Sequence, residues 1–324
     1  MTGALADLAI LDPAALATQG AEPLCIRLFG SMELSRGGRR LPPFPTRKAR
    51  SVFCYLLLHA GRMHPRDVLT GTFWGDHADA AARRQLSTEL WRIRRVLAAD
   101  LDAVALRVEE DAVGIQLHAR TLLDTAAFEQ TLRPAAHRPP EQLTSEQAGA
   151  LEEAVALYRG DLLQEVYDDW CVYERDRLRA LALDALFRAM RYHLLRRNWG
   201  AALEHGQRLL DADPLNEPVH TAVMHCHFGS GNRAAALRQY ASCQRLLREE
   251  LDVAPMPETV AVYERIRAGA PVQAPHPPPS PATAANDALA RLQAAERDLR
   301  RAHRLLHRGL HTLRTLTDQH AFED

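Results

Sequence analysis

Arg84, Thr88, Arg92 and Arg95 recur at intervals of three and four residues within DAAARRQLSTELWRIRRVL, residues 79–97. At 100° per residue they fall on one side of a helix together with Trp91, while Ala82, Leu86, Leu90, Ile93 and Leu97 form an apolar stripe on the other. Guanidinium forks meet phosphate oxygens and guanine edges in paired hydrogen bonds, and a hydroxyl serves either partner. One chemistry open to this face is recognition of double-stranded DNA in its major groove; a solvated, arginine-rich surface is the other. Arg83 and Ser87 flank the face, and Arg47 and Lys48 open the helix two elements earlier, completing the candidate DNA contacts.

No catalytic set accompanies them. Asp168 with Asp169 and Glu249 with Glu250 are neighbouring acids at helix ends, without a nucleophile or a phosphate-cradling glycine loop. Neither an enzyme nor a cofactor is expected. His220, His225 and His227 surround Cys226 and are of metal-ligating type, but 225 and 227 point to different helix faces. His303, His307 and His311 form a second stripe at i, i+4, i+8. No metal is expected at either.

The chain that must position the basic face has 324 residues, 47% of them hydrophobic, enough for two or three domains with sizeable cores. Its longest apolar stretch, residues 52–58, is far short of the roughly 20 residues that span a bilayer. With no basic segment leading an apolar core at the N-terminus, a cytoplasmic, nucleoid-associated location without membrane contact is expected. Five scattered cysteines lack a CxxC pair and read as reduced thiols. The net charge of −1 hides an asymmetry: residues 22–120 carry 16 basic and 11 acidic residues, a net of +5, and residues 121–324 a net of −4. Basic charge concentrates where the helix lies.

Residues 1–22 are expected to be a mobile arm. Order begins near Leu24, where Leu24, Ile26 and Leu28 alternate, and the Gly37-Gly38 turn returns the chain as a short strand. Thr46 is predicted to cap a helix to about Ala60 that ends at Gly61, and Pro65 to open a second ending at Trp74. After residues 75–78 comes the basic helix, with Asp79 as its predicted cap. Leu106 and Val108, then Val113, Ile115 and Leu117, alternate as two strands of a hairpin. Small sheet, three helices and hairpin together form a winged helix-turn-helix.

The segments KARSVFCYLLLHAGRMHPRDVLTGTFWGD, ARRQLSTELWRIRRVL and GIQL, in this order, resemble the OmpR-type DNA-binding domain of the Streptomyces antibiotic regulatory protein family. This chain departs from the family pattern in three places. Gly114 is followed by Ile115 rather than tyrosine, Ser87 stands where arginine is common, and Trp91 where a small polar residue is usual. The wing tip is also acidic (Glu109, Glu110, Asp111), which opposes phosphate.

Beyond Leu122 the periodicity is helical. Asp124 is predicted to cap a helix through Leu132 and Ser145 to open another. NWGAAL at 198 and NRAAAL at 232 are 34 residues apart, the tetratricopeptide period, and stacked helical hairpins follow from it. Through DPLNE and Pro257-Glu258-Thr259 the segment resembles the bacterial transcriptional activator domain. Six prolines in residues 270–285 mark a stiff linker. Leu292, Leu299, Leu306 and Leu313 then recur every seven residues, with Leu289 and Leu310 in the matching positions, a coiled-coil pattern for self-association as a homodimer or for docking on another helix.

The expected fold is mainly α. An arm (1–22) leads into an OmpR-type winged helix-turn-helix with a small β-sheet (23–120). A tetratricopeptide-like activator domain (121–269), the linker (270–285) and a C-terminal amphipathic helix (286–324) follow. The resemblance implies a transcription activator that binds direct repeats near a promoter and recruits RNA polymerase. Gly75, Asp76, His77 and Ala78 form the implied polymerase contact. The competing expectation is a helical-repeat adaptor for other proteins whose winged helix no longer reads DNA.

Overall fold

The computed structural model describes residues 22–75, 79–98, 103–136 and 138–270. Residues 1–21 of the arm, residues 76–78, residues 271–285 of the proline linker and the C-terminal leucine pattern lie outside the described residues. What is described is mainly helical with two small sheets. Among these residues no helix is long and apolar enough to cross a membrane.

The first sheet runs β1 (Leu24–Arg27), β2 (Glu33–Arg36), β3 (Arg39–Arg40) and β7 (Thr121–Leu123), in the order β3-β2-β1-β7. β1 pairs antiparallel with β2 and parallel with β7. Positive φ at Gly37 and Gly38 makes the β2–β3 turn. Helix α1 (Arg47–Leu58) starts as expected at Thr46, whose hydroxyl accepts the Ala49 amide, and ends two residues earlier than its pattern suggested. Pro65 precedes α2 (Arg66–Trp74) but also ends a strand, β4 (Met63–Pro65), that sequence did not reveal. Three residues are too few to show a period. β4 pairs with β6 (Ala112–Leu117), which pairs with β5 (Val104–Val108), giving the order β4-β6-β5. At Gly114 a Cβ would stand 2.5 Å from the Arg62 carbonyl oxygen, so only glycine lets β4 approach β6 there. Helix α3 (Asp79–Leu97) packs on α1 and α2.

The helical part begins with α4 (Asp124–Leu132), α5 (Ser145–Leu157), α6 (Asp169–Leu195) and α7 (Trp199–Ala212). It continues through α8 (Glu217–Gly229), α9 (Arg233–Leu251) and α10 (Pro257–Ala268). Successive helices from α4 to α10 pack on one another, and α10 also reaches α8. One expected cap differs. Leu123 holds the cap position of α4, and the Asp124 carboxylate reaches instead to the amides of Leu28, Phe29 and Thr125 at 2.9, 3.0 and 2.8 Å. α5 opens at Ser145 as predicted, with Thr144 as its cap in a reciprocal box with Gln147. Asn216 and Asn232 cap α8 and α9 through their side chains. A Cβ on Gly229 would lie 2.6 Å from the Trp199 ring, so α8 ends in contact with the start of α7.

One apolar core runs from Leu24 through the α1–α3 bundle into Leu162, Cys171, Leu178 and Ala182. Trp170 stands between Tyr55 and Phe73, ring centroids 5.6 and 5.9 Å away. Glu165 accepts hydrogen bonds from Ser31 (2.9 Å) and Arg50 (3.0 Å), and Arg175 donates to the carbonyls of Leu162, Leu163 and Val166. The segment joining β6 to α4 is held as well, since Leu24 N donates to Arg120 O at 2.9 Å and the Thr121 hydroxyl to Ala103 O. Limited trypsin digestion should therefore spare Arg120 while the chain is folded. Early cleavage between 118 and 124 that releases two stable halves would contradict this.

Candidate nucleic-acid interface

α3 separates its two faces as its sequence predicts. Ala82, Leu86, Leu90, Ile93 and Leu97 are buried against α1 and α2. Burying a leucine contributes roughly 1.5–3 kcal/mol before ordering costs, so this stripe fixes which way the helix is turned. Glu89 is buried beside it, unforeseen because a glutamate reads as a solvent position. Its carboxylate accepts from the Thr46 hydroxyl and from Arg92, both at 2.6 Å.

The outward residues divide by what holds them. Arg84, Arg94 and Arg95 are exposed. Trp91 is 58% exposed, with the Arg95 guanidinium 5.6 Å from its ring centroid. The hydroxyls of Ser87 and Thr88 donate to the carbonyls of Arg83 and Arg84 one turn back and remain exposed. Arg83 is paired with Asp67 at 2.6 Å, an exposed pair worth little energetically, and Arg92 is held by Glu89. Arg47 is exposed at the start of α1. Lys48 is turned inward: its ammonium donates to Phe73 O at 2.7 Å and lies 5.8 Å from the Phe73 and Trp74 rings, closing the C-terminal end of α2. Its charge is committed within the bundle. Gly75 ends α2, and Asp76, His77 and Ala78 are outside the described residues.

Two arginines enter this region that spacing did not single out. Arg66, at the start of α2, directs its guanidinium toward Ser87 Oγ at 3.4 Å, while its backbone N–H donates to Asp111 O of the β5–β6 tip. Arg107 is exposed on β5, with Gln116 Oε1 at 3.2 Å. Both lie on other elements than α3, beyond the reach of a helical period. The tip itself exposes Glu109, Glu110 and Asp111.

His220, His225 and His227 do not converge. His220 Nε2 faces Pro214 O at 2.9 Å and its Nδ1 faces Gln239 at 2.7 Å. Burial, reinforced by Arg191 and Arg265, lowers the pKa of His225 to about 4. A histidine whose folded pKa lies below its unfolded value of about 6.5 stabilises the fold above that value and less as pH falls toward 4. Thermal unfolding should thus begin at lower temperature at pH 5 than at pH 7, and His225→Gln should lessen the difference. The His303, His307 and His311 stripe is outside the described residues. Among the described residues, metal-ligating atoms instead meet at Glu152, His193 and His205. Burial opposes ionisation of Glu152, but hydrogen bonds from His205 and His193 outweigh it and hold its carboxyl below the usual range.

Residues 123–267 match the bacterial transcriptional activator domain. The regulatory protein DnrI of Streptomyces peucetius is 28% identical over 238 residues, 71% of this chain and 87% of DnrI. The transcriptional regulatory protein MoaR1 of Mycobacterium tuberculosis is 27% identical over 248 residues, 74% of this chain and 78% of MoaR1. The chain thus carries a bacterial transcriptional activator domain and is similar to regulators of the Streptomyces antibiotic regulatory protein family. A further relative, the regulatory protein AfsR of Streptomyces griseus, is 28% identical over 251 residues, 76% of this chain but 25% of AfsR. The chain thus spans about a quarter of AfsR. Mycobacterium tuberculosis EmbR, solved with a low-affinity phosphopeptide, has a similar fold at a TM-score of 0.57 and 18% identity, over 78% of this chain and 67% of EmbR.

Proposed function

We propose that the chain is a sequence-specific DNA-binding transcription regulator, an activator acting at the nucleoid in the cytoplasm. Residues 23–120 are read as an OmpR-type winged helix-turn-helix, with α3 as the helix that enters the major groove and β5–β6 as the wing. The observation that carries the reading is the face of α3 opposite its buried stripe, where Arg84, Thr88, Trp91 and Arg95 stand in solvent. Arg84, Arg95 and Thr88 are assigned to bases and phosphates. Arg47 and Arg66 are assigned to backbone phosphates. Ser87 and Trp91 line the same face, and Arg83 and Arg92 join it only by leaving Asp67 and Glu89. Lys48 is left out because its ammonium already serves Phe73. The exposed acids at the wing tip disfavour deep minor-groove insertion there.

Helices α4–α10 are read as a tetratricopeptide-like platform and residues 75–78 as the contact for RNA polymerase. The test is selection of duplexes from a random pool by the full chain. Expected is enrichment of a direct repeat, bound with an affinity that falls steeply with salt, log K changing by about 0.9 per contacted phosphate for each tenfold rise in salt. The acidic wing tip favours a second reading, a helical-repeat adaptor for other proteins. A pool that shows no enrichment supports that reading.

The heptad leucines Leu289, Leu292, Leu299, Leu306, Leu310 and Leu313 are assigned to homodimerisation, with the proline linker leaving each DNA-binding half free to occupy one repeat. A chain ending at Ala270 should sediment as a monomer, keep its affinity for a single repeat and bind a double repeat more weakly, because linkage raises local concentration. Equal masses for the truncated and full chains in solution would contradict the assignment.

A further inference from the structure

Glu152 on α5, His193 near the end of α6 and His205 in the middle of α7 come from three helices and meet at one point. Both imidazole Nε2 atoms lie against the same carboxylate oxygen, Glu152 Oε1, at 2.7 Å from His193 and 2.8 Å from His205. The two rings are stacked, centroids 5.8 Å apart and planes 25° apart, so their Nε2 atoms project side by side. The three ligand atoms lie within 4.8 Å of one another, against about 3.3 Å between neighbouring corners of a zinc tetrahedron. Small side-chain adjustments bridge that difference.

We propose that Glu152, His193 and His205 form a site for a divalent transition-metal ion of the zinc class, which clasps α5, α6 and α7 together. Two imidazoles and one carboxylate are the donor set such an ion favours, with a fourth position left for water. Magnesium and calcium, which prefer all-oxygen shells, are disfavoured by it. Access and support are both present. The Glu152 side chain is 39% exposed, opening the point to solvent, whereas His193 and His205 are 16% and 5% exposed and held by packing. The Asn198 side-chain amide lies 3.2 Å from His193 Nδ1. With its oxygen turned to that nitrogen it accepts the Nδ1 proton and leaves Nε2 as the ligating lone pair. His205 Nδ1 is buried without a hydrogen-bond partner, so Glu152 is the one polar contact of that imidazole. Both Nε2 atoms must be unprotonated to ligate, and uptake therefore releases protons.

The experiment uses the full chain, without a histidine tag and stripped of metal by chelation, titrated with zinc sulfate by calorimetry and followed by thermal unfolding. Expected is uptake at this site of one zinc per chain. At about 100 times the dissociation constant the midpoint should rise by roughly 5–10 °C, with no rise from magnesium. Glu152→Gln, at the most exposed of the three positions, and His193→Gln should each lower zinc uptake by one ion per chain or weaken it more than tenfold. Cobalt(II) in place of zinc should give the visible absorption of a four-coordinate site, lost in the same variants. Zinc taken up by His303, His307 and His311 would remain in both and leaves that difference unaltered. No zinc uptake by the full chain, or uptake and thermal shift unchanged in both variants, overturns the proposal.

Discussion

Asp124→Ala is expected to lower the stability of the chain by about 3–5 kcal/mol, seen as a drop of roughly 10 °C in thermal midpoint. The carboxylate is buried and takes three backbone N–H groups at once, two at the end of β1 and one in the first turn of α4. Burial raises its pKa and opposes its charge, while the amides of Phe29, Leu28 and Thr125 hold it down. Alanine leaves all three donors buried without an acceptor, each at about 1–3 kcal/mol, partly relieved where water enters. The site also joins the first sheet to the helical part, with Phe29 packed edge-on against Phe128 and Tyr158 at 5.2 and 5.0 Å. Asp124→Asn should recover only part of the loss, because its amide nitrogen meets donors with a donor. A loss under about 1 kcal/mol for the alanine variant would mean that these amides find other acceptors.

The paired change Arg84→Ala and Arg95→Ala is expected to weaken binding to a selected repeat by at least about 30-fold without lowering the thermal midpoint. A guanidinium that reads a base is worth about 1–3 kcal/mol, and one that meets only phosphate lowers the salt slope by about one. Both residues are exposed, so their loss leaves the core stripe intact. Lys48→Ala should have the opposite signature, a lower stability with little change in the salt slope, since its ammonium holds the end of α2. Equal affinity for the paired variant and the parent chain would remove the proposed DNA face from α3.

The orientation of α3 was legible because five apolar residues repeat at helical spacing and burial rewards only one rotation of the helix. The β5–β6 hairpin and the cap at Thr46 were legible for the same local reason: period and turn chemistry act over a few residues. What escaped was set by partners distant in sequence. Glu89 reads as surface charge until Thr46, 43 residues earlier, is placed beside it. Lys48 reads as a phosphate contact until the last turn of α2 is folded over it. Asp124 has the residue type of a helix cap, yet its carboxylate is taken by Leu28, 96 residues away. His193 and His205 lie 41 and 53 residues beyond Glu152 along the chain, and no spacing rule connects them. What brings them together is the packing of α5 on α6 and of α6 on α7, which places one side chain from each helix at a common point.

The most direct test of the central claim is a second selection from the random pool, made with Arg84→Ala in parallel with the unaltered full chain. If α3 reads the major groove, the variant should recover the same repeat with preference relaxed at one base pair of each unit, the rest of the motif unchanged. Identical motifs from the two proteins, or a parent chain that enriches no motif at all, would contradict the claim that this helix reads DNA through Arg84.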